Sequence, residues 1–106
     1  MKIEVFYFDG CPSYPKAVEQ VKKVLKEEGI DLSIDSVPVE THKDALTHRF
    51  LGSPTIRVNG LDVEVQARAR EDFGLKCRLY RTGGNLVGIP DTNLIKESIK
   101  DYLKEL

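Results

Sequence analysis

The feature that most constrains this chain is a sharp change of hydrophobic period around residue 10. Lys2 to Phe8 alternates Ile3, Val5 and Tyr7 with Glu4, Phe6 and Phe8 and is rich in β-branched and aromatic residues. That pattern reads as a mostly buried strand. Asp9-Gly10 ends it, and Ala17, Val18, Val21, Val24 and Leu25 then recur at helical spacing, with Lys22, Lys23, Lys26 and Glu27 facing water. Pro12 and Pro15 belong in the first helical turn, where a missing N–H costs nothing, and Gly29 is placed as the C-cap residue. Ile30, Leu32 and Ile34 alternate with Asp31, Ser33 and Asp35 as a second strand. A strand–helix–strand opening implies a right-handed parallel crossover. It also puts Cys11 at the junction of the first strand and first helix.

The second half of the chain is punctuated by turns. Thr41 and Asp44 resemble a capping box opening a short helix through Phe50, with Ala45, Leu46 and Phe50 inward. Gly52 ends that helix, and Pro54 to Val58 forms a third strand running into an Asn59-Gly60 hairpin turn. Leu61, Val63 and Val65 alternate like a returning strand, whereas residues 66–76 carry no clear period. Cys77 to Tyr80 and Leu86-Val87 flank Gly83-Gly84 as a second hairpin, and Asp91 caps a last helix with Leu94, Ile95, Ile99, Tyr102 and Leu103 as its buried stripe. This order predicts an α/β fold: a three-layer sandwich of one mixed central sheet with helices on both faces.

With 106 residues the chain fits one domain over residues 1–106. Its composition, 41% hydrophobic and 31% charged, is that of a folded chain. Sixteen Lys and Arg against 17 Asp and Glu give a net charge of -1, which offers no field for nucleic acid. No apolar run approaches the roughly 20 residues of a membrane span, and Glu4 interrupts any signal core, so a cytoplasmic protein without a membrane partner is expected. Gly83-Gly84 lacks a phosphate-loop pattern, and no cofactor is expected. His42 and His48 are not at i, i+4, and no Cys-x-x-Cys exists, so no metal site is assigned.

Two cysteines are too few for a disulfide scaffold, and in a reducing compartment they are more plausibly chemical. Ligands of open α/β sheets bind beyond the carboxyl ends of strands. A helix start favours an anion, and a thiol placed there ionises more readily. The alternative for Cys11 is a small core hydrophobe, although Gly10 and Pro12 make it look poorly placed for the core. Cys11-Pro12-Ser13-Tyr14 between strand and helix, with Gly52-Ser53-Pro54-Thr55 some forty residues later, resembles the thioredoxin-like superfamily. That resemblance covers nearly the whole chain except about residues 61–76. It implies that Cys11 is the nucleophilic sulfur, that Pro54 is a cis-proline packing against it, and that the backbone of Ser53 faces a bound peptide or thiol. Pro12, Tyr14, Ser53 and Pro54 are the expected substrate-binding residues.

Tyr14 stands where a dithiol motif has its resolving cysteine, so Cys11 closes no disulfide within its own motif. Three chemistries remain: a mixed disulfide resolved by an external thiol such as glutathione, resolution by Cys77, or capture of a soft metal. A return strand after Asn59-Gly60 would let residues 66–76 fold over the site and bring Cys77 near Cys11. Pairing of Cys77 to Arg81 with the Pro54 strand would instead leave the two beyond the ~7 Å Cα limit of a disulfide. Cys77 as a core residue is the plain alternative.

Organomercurial lyases, which share a thioredoxin-like core and use two distant cysteines with an aspartate, offer a weaker resemblance. Here no carboxylate occupies the first helical turn, and Asp9 is an unmatched substitute. Tyr14 either hydrogen-bonds a thiolate or substrate, or covers the helix start with its ring. Arg78 and Arg81 either bind a carboxylate or, more readily, read as solvated strand-edge cations; Lys16 and Arg49 either hold a glutathione carboxylate in the cleft or, more usually, are surface charges; Thr55 reads as strand filling. Thiol-dependent exchange with a small thiol or a protein disulfide is therefore the leading expectation. Soft-metal or organomercurial binding and a non-catalytic docking module are the alternatives.

Overall fold

β1 (Ile3–Tyr7) is flanked on both edges and covered on both faces, which is why it is almost continuously apolar. It pairs in parallel with β2 (Ile34–Pro38) and antiparallel with β3 (Thr55–Val58), and β3 pairs antiparallel with β4 (Leu61–Asp62). The sheet order is β2-β1-β3-β4. The computed structural model describes residues 1–105, so of the expected range only Leu106 lies outside it. A separate hairpin joins β5 (Tyr80–Thr82) to β6 (Asn85–Val87).

Alternation along the strands divides the core between the two faces. Ile3, Val5, Ile56 and Val58 form one cluster with Ala17, Val21, Val24 and Leu25 of α1 (Tyr14–Glu27) and with Ile95 and Ile99 of α3 (Thr92–Lys104). On the other face Phe6 packs with Val39, Ala45 and Phe50 beside α2 (His42–Thr47). The result is the expected mixed sheet with helices on both faces.

Several expected boundaries move. β2 begins at Ile34, four residues later than the alternation suggests, because Ile34 is the residue paired with Ile3. Ile30 and Leu32 instead pack against the core from the connecting loop. Pro38 is tolerated because β2 is an edge strand. Pro12 lies outside α1, whose N-cap is Ser13; only Pro15 occupies the first turn. Leu46 is 51% exposed because the short α2 buries only Ala45. Leu103 is also exposed, since its turn lies beyond Ile99, the last core residue of α3.

The return strand is the largest departure. β4 holds only Leu61 and Asp62 before the chain turns into a 3₁₀ segment, Val65–Ala69. Leu61 and Val65 are exposed, while Asp62 and Val63 are buried. The apolar alternation misled because a buried ion pair, described below, takes the place of an apolar side chain.

Candidate active site

The site grows from the end of β1. The chain leaves Tyr7, makes a tight turn closed by a hydrogen bond from the Cys11 amide to the Phe8 carbonyl (3.2 Å), and enters α1. Cys11 lies on the inner side of this turn and is 6% exposed, so the expectation that it avoids the interior is corrected. Its burial is not apolar, however. Its thiol donates to the Ser53 carbonyl at 3.2 Å.

Ser53 immediately precedes Pro54, and the peptide bond between them is cis. Ser53, Pro54 and Thr55 are all buried. The Thr55 hydroxyl donates to the Gly52 carbonyl (2.6 Å), and the Tyr80 hydroxyl donates to the Pro54 carbonyl (2.6 Å). Burial is the main reason the Tyr80 hydroxyl is held above its ordinary pKa. The Ser53 hydroxyl has no hydrogen-bond partner among the described residues.

Of the two arrangements open for Cys77, the structure has the one that brings it to Cys11. After the 3₁₀ segment, residues 74–78 run alongside 50–53. The Gly74 amide donates to the Phe50 carbonyl (3.0 Å), Ser53 to the Lys76 carbonyl (2.8 Å), and Arg78 to the Ser53 carbonyl (2.9 Å). Ser53 and Cys77 thus form a parallel bridge, roughly 4.8 Å being the usual spacing of such neighbours. Cys77 is exposed, and both cysteines are free thiols. Hydrogen bonding to Cys11, then desolvation, raises the Cys77 thiol above its ordinary pKa.

Two residues hold this strap in place. Gly52 has a φ of +120°, and a Cβ there would sit 3.0 Å from both the Arg78 Cβ and the Lys76 carbonyl oxygen. Only glycine combines this conformation with such close approach. Arg78 is buried, which corrects its reading as a solvated cation. Its guanidinium donates twice to Asp62, at 2.6 and 2.9 Å, and reaches Glu64 at 3.4 Å. It also lies 4.2 Å from the Tyr80 ring centroid. Burial alone would lower the Arg78 pKa, but the Asp62 hydrogen bonds outweigh it and the net shift is upward. On the surface, Asp72 accepts from Arg70 and Lys76, which holds its carboxyl well below the usual range.

The remaining expected residues have other partners or face solvent. Tyr14 stacks on Tyr7 with centroids 3.8 Å apart, and its hydroxyl donates to Ser36 at 2.7 Å. Its ring therefore covers the helix start. Pro12, Lys16 and Arg81 are exposed. Arg49 lies over the Phe73 ring, 4.9 Å from its centroid. The residues missed by sequence reasoning are Gly52, Asp62, Arg78 and Tyr80. For Arg78 and Tyr80 the signal is an alternation, both inward with Leu79 and Arg81 outward, whose polarity is inverted.

A four-stranded mixed sheet between helices, with a cysteine beyond the first strand beside a cis-proline opening the third, defines a thioredoxin-like protein. No family model matches the chain, and no solved structure matches it. Two curated proteins do, each named a probable thioredoxin. That of Methanothermobacter marburgensis is 32% identical over 74 residues, spanning 69% of this chain and 87% of its own. That of Methanothermobacter thermautotrophicus is 30% identical over a stretch with the same coverage. The chain belongs to the thioredoxin-like superfamily. No helix among the described residues is long and apolar enough to cross a membrane.

Proposed function

We propose that the protein is a thiol–disulfide exchange protein whose working pair is Cys11 and Cys77. The observation that carries this reading is the parallel bridge between Cys77 and Ser53, the residue whose carbonyl holds the Cys11 thiol, which brings both cysteines to one residue without a Cys-x-x-Cys motif. The names of the two relatives support a redox role of this kind.

Reduction of an external disulfide takes two steps. One protein thiolate attacks a substrate sulfur; a mixed disulfide forms and one substrate thiolate leaves. The second protein thiolate then attacks the mixed disulfide, closing Cys11–Cys77 and releasing the other substrate thiolate. The protein loses two electrons, and its two thiol protons end on the two released thiols. A small thiol such as glutathione, or a protein dithiol, reverses the sequence and restores the reduced form.

Reduced protein mixed with an excess of a small disulfide should release two thiols per chain and lose both free cysteines. Cys11→Ser and Cys77→Ser should each release only one. Unaltered protein that ends with a small thiol on each cysteine and no Cys11–Cys77 bond contradicts the proposal.

Two thiols brought to the same residue, Ser53, also suit a second reading, two-coordinate capture of a soft ion such as mercury(II) or copper(I). Titration followed by thiolate absorption tests it, and binding that survives Cys11→Ser overturns it.

A further inference from the structure

The strap that delivers Cys77 occupies the backbone edge that a peptide substrate would need. The Ser53 amide donates to Lys76 and the Ser53 carbonyl accepts from Arg78, so both groups that could pair with an incoming strand are already used by this chain. The Ser53 carbonyl also takes the Cys11 thiol. Gly52 completes the closure, since its missing side chain lets Lys76 and Arg78 approach to about van der Waals contact. The strap is anchored at its far end by the buried Arg78–Asp62 pair. Cys77 therefore stands in the position of a bound substrate sulfur, with the rest of the strap as the bound strand.

The two sulfurs also differ in access. Cys11 is enclosed by its own turn and by Ser53, while Cys77 is exposed. A groove of about 340 Å³ that neither cysteine lines is walled by chain neighbours of both: Phe8, Asp9 and Gly10 ahead of Cys11, Val39 and Glu40, and Leu75 of the strap two residues before Cys77. That volume is at the lower end of small-molecule sites, which run from roughly 300 to 1,000 Å³.

From this geometry we infer that Cys77 is the sulfur that meets the substrate, that Cys11 is the inner resolving thiol, and that the substrate is a small disulfide rather than a polypeptide strand. This rests on the thiol–disulfide reading above and assigns its two steps. The Cys77 thiolate attacks one sulfur of the small disulfide, forming the mixed disulfide on Cys77 and expelling one small thiolate. Cys11 then attacks the Cys77 sulfur from within, closing the internal bridge and expelling the second. The roles are the reverse of those expected from Cys11 at the head of the first helix.

The test uses cystamine and oxidised glutathione as probes on the reduced full chain, with products mapped by mass spectrometry. Cys11→Ser should accumulate a mixed disulfide on Cys77 at no less than the first-step rate of the unaltered protein. Cys77→Ser should form a mixed disulfide on Cys11 at least about tenfold more slowly, since burial limits thiol reactivity. Cys11→Ala provides a second variant if serine is poorly accommodated at the enclosed position. If Cys77→Ser reacts as fast as the unaltered protein, the assignment of Cys77 is overturned. A short disulfide-linked peptide that reacts faster than both small probes overturns the substrate class. If the unaltered protein consumes no disulfide at all, it is the exchange reading itself that fails.

Discussion

Cys11 reaches its place through the apolar core, whereas Cys77 reaches its place through polar anchors. The Cys11 turn is set by β1 and α1, whose Ile3, Val5, Ala17, Val21 and Val24 are wholly buried. The Cys77 strap has no comparable apolar face; Leu75 and Leu79 on either side of it are exposed. It is held by three backbone hydrogen bonds, by the space left at Gly52 and by Arg78 on Asp62. One sulfur is thus fixed by burial, which is hard to undo locally. The other is fixed by a few specific contacts, each of which can be removed while the sheet stays intact.

The largest effect should come from Arg78→Met. It leaves Asp62 buried without its partner, and breaking a buried pair in this way costs about 3–5 kcal/mol. Chemical denaturation should show that loss, and alkylation should find Cys11 newly accessible as the strap lifts. Cys11 staying protected in the folded variant would mean that the strap does not depend on this pair.

Gly52→Ala comes next. A residue forced to a φ of +120° carries about 1–3 kcal/mol of strain, and the added Cβ also pushes against Lys76 and Arg78. Because cysteines whose Cα atoms exceed about 7 Å cannot bridge, internal disulfide formation should slow roughly tenfold or more. An unchanged rate would show that the close approach at Gly52 is not what positions Cys77.

A smaller effect concerns pH. Hydrogen bonding to Cys11 and then desolvation hold the Cys77 proton on, so its titration midpoint lies above the ordinary thiol value of 9.0 and its first attack on a disulfide should quicken as the pH rises toward it. Alkylation of Cys77 should rise with pH through a midpoint above that value. In Cys11→Ser the midpoint should fall toward it, because the raising partner is gone. A midpoint that does not move would separate the two sulfurs.

Tyr14→Phe should be the mildest change. It removes one hydrogen bond, to Ser36, for about 0.5–1.5 kcal/mol of stability, and internal disulfide formation should keep its rate. A marked slowing would bring Tyr14 into the sulfur chemistry.

The same division explains what could be read from the sequence. The β1 turn and α1 announce themselves because their period follows from apolar burial, and Pro54 after Gly52 marks the start of β3. The strap was opaque because burial there is carried by polar groups. Asp62 and Arg78 satisfy each other inside, while Leu61, Leu75 and Leu79 face water. A pattern of hydrophobic residues cannot reveal a buried pair whose members are 16 positions apart. Nor does the sequence reveal that Ser53 pairs with Cys77, because a single bridge leaves no alternation behind. Both cysteines stand out by residue type and position, but only the fold brings them to the same residue, Ser53.

The most direct test is to oxidise the reduced protein mildly at low concentration, block the remaining thiols, and map the linkages by mass spectrometry. The account predicts one dominant species, a monomer with Cys11 joined to Cys77 and no thiol left to block. Chains linked to each other, or a monomer carrying a blocked Cys77 beside an oxidised Cys11, would contradict it.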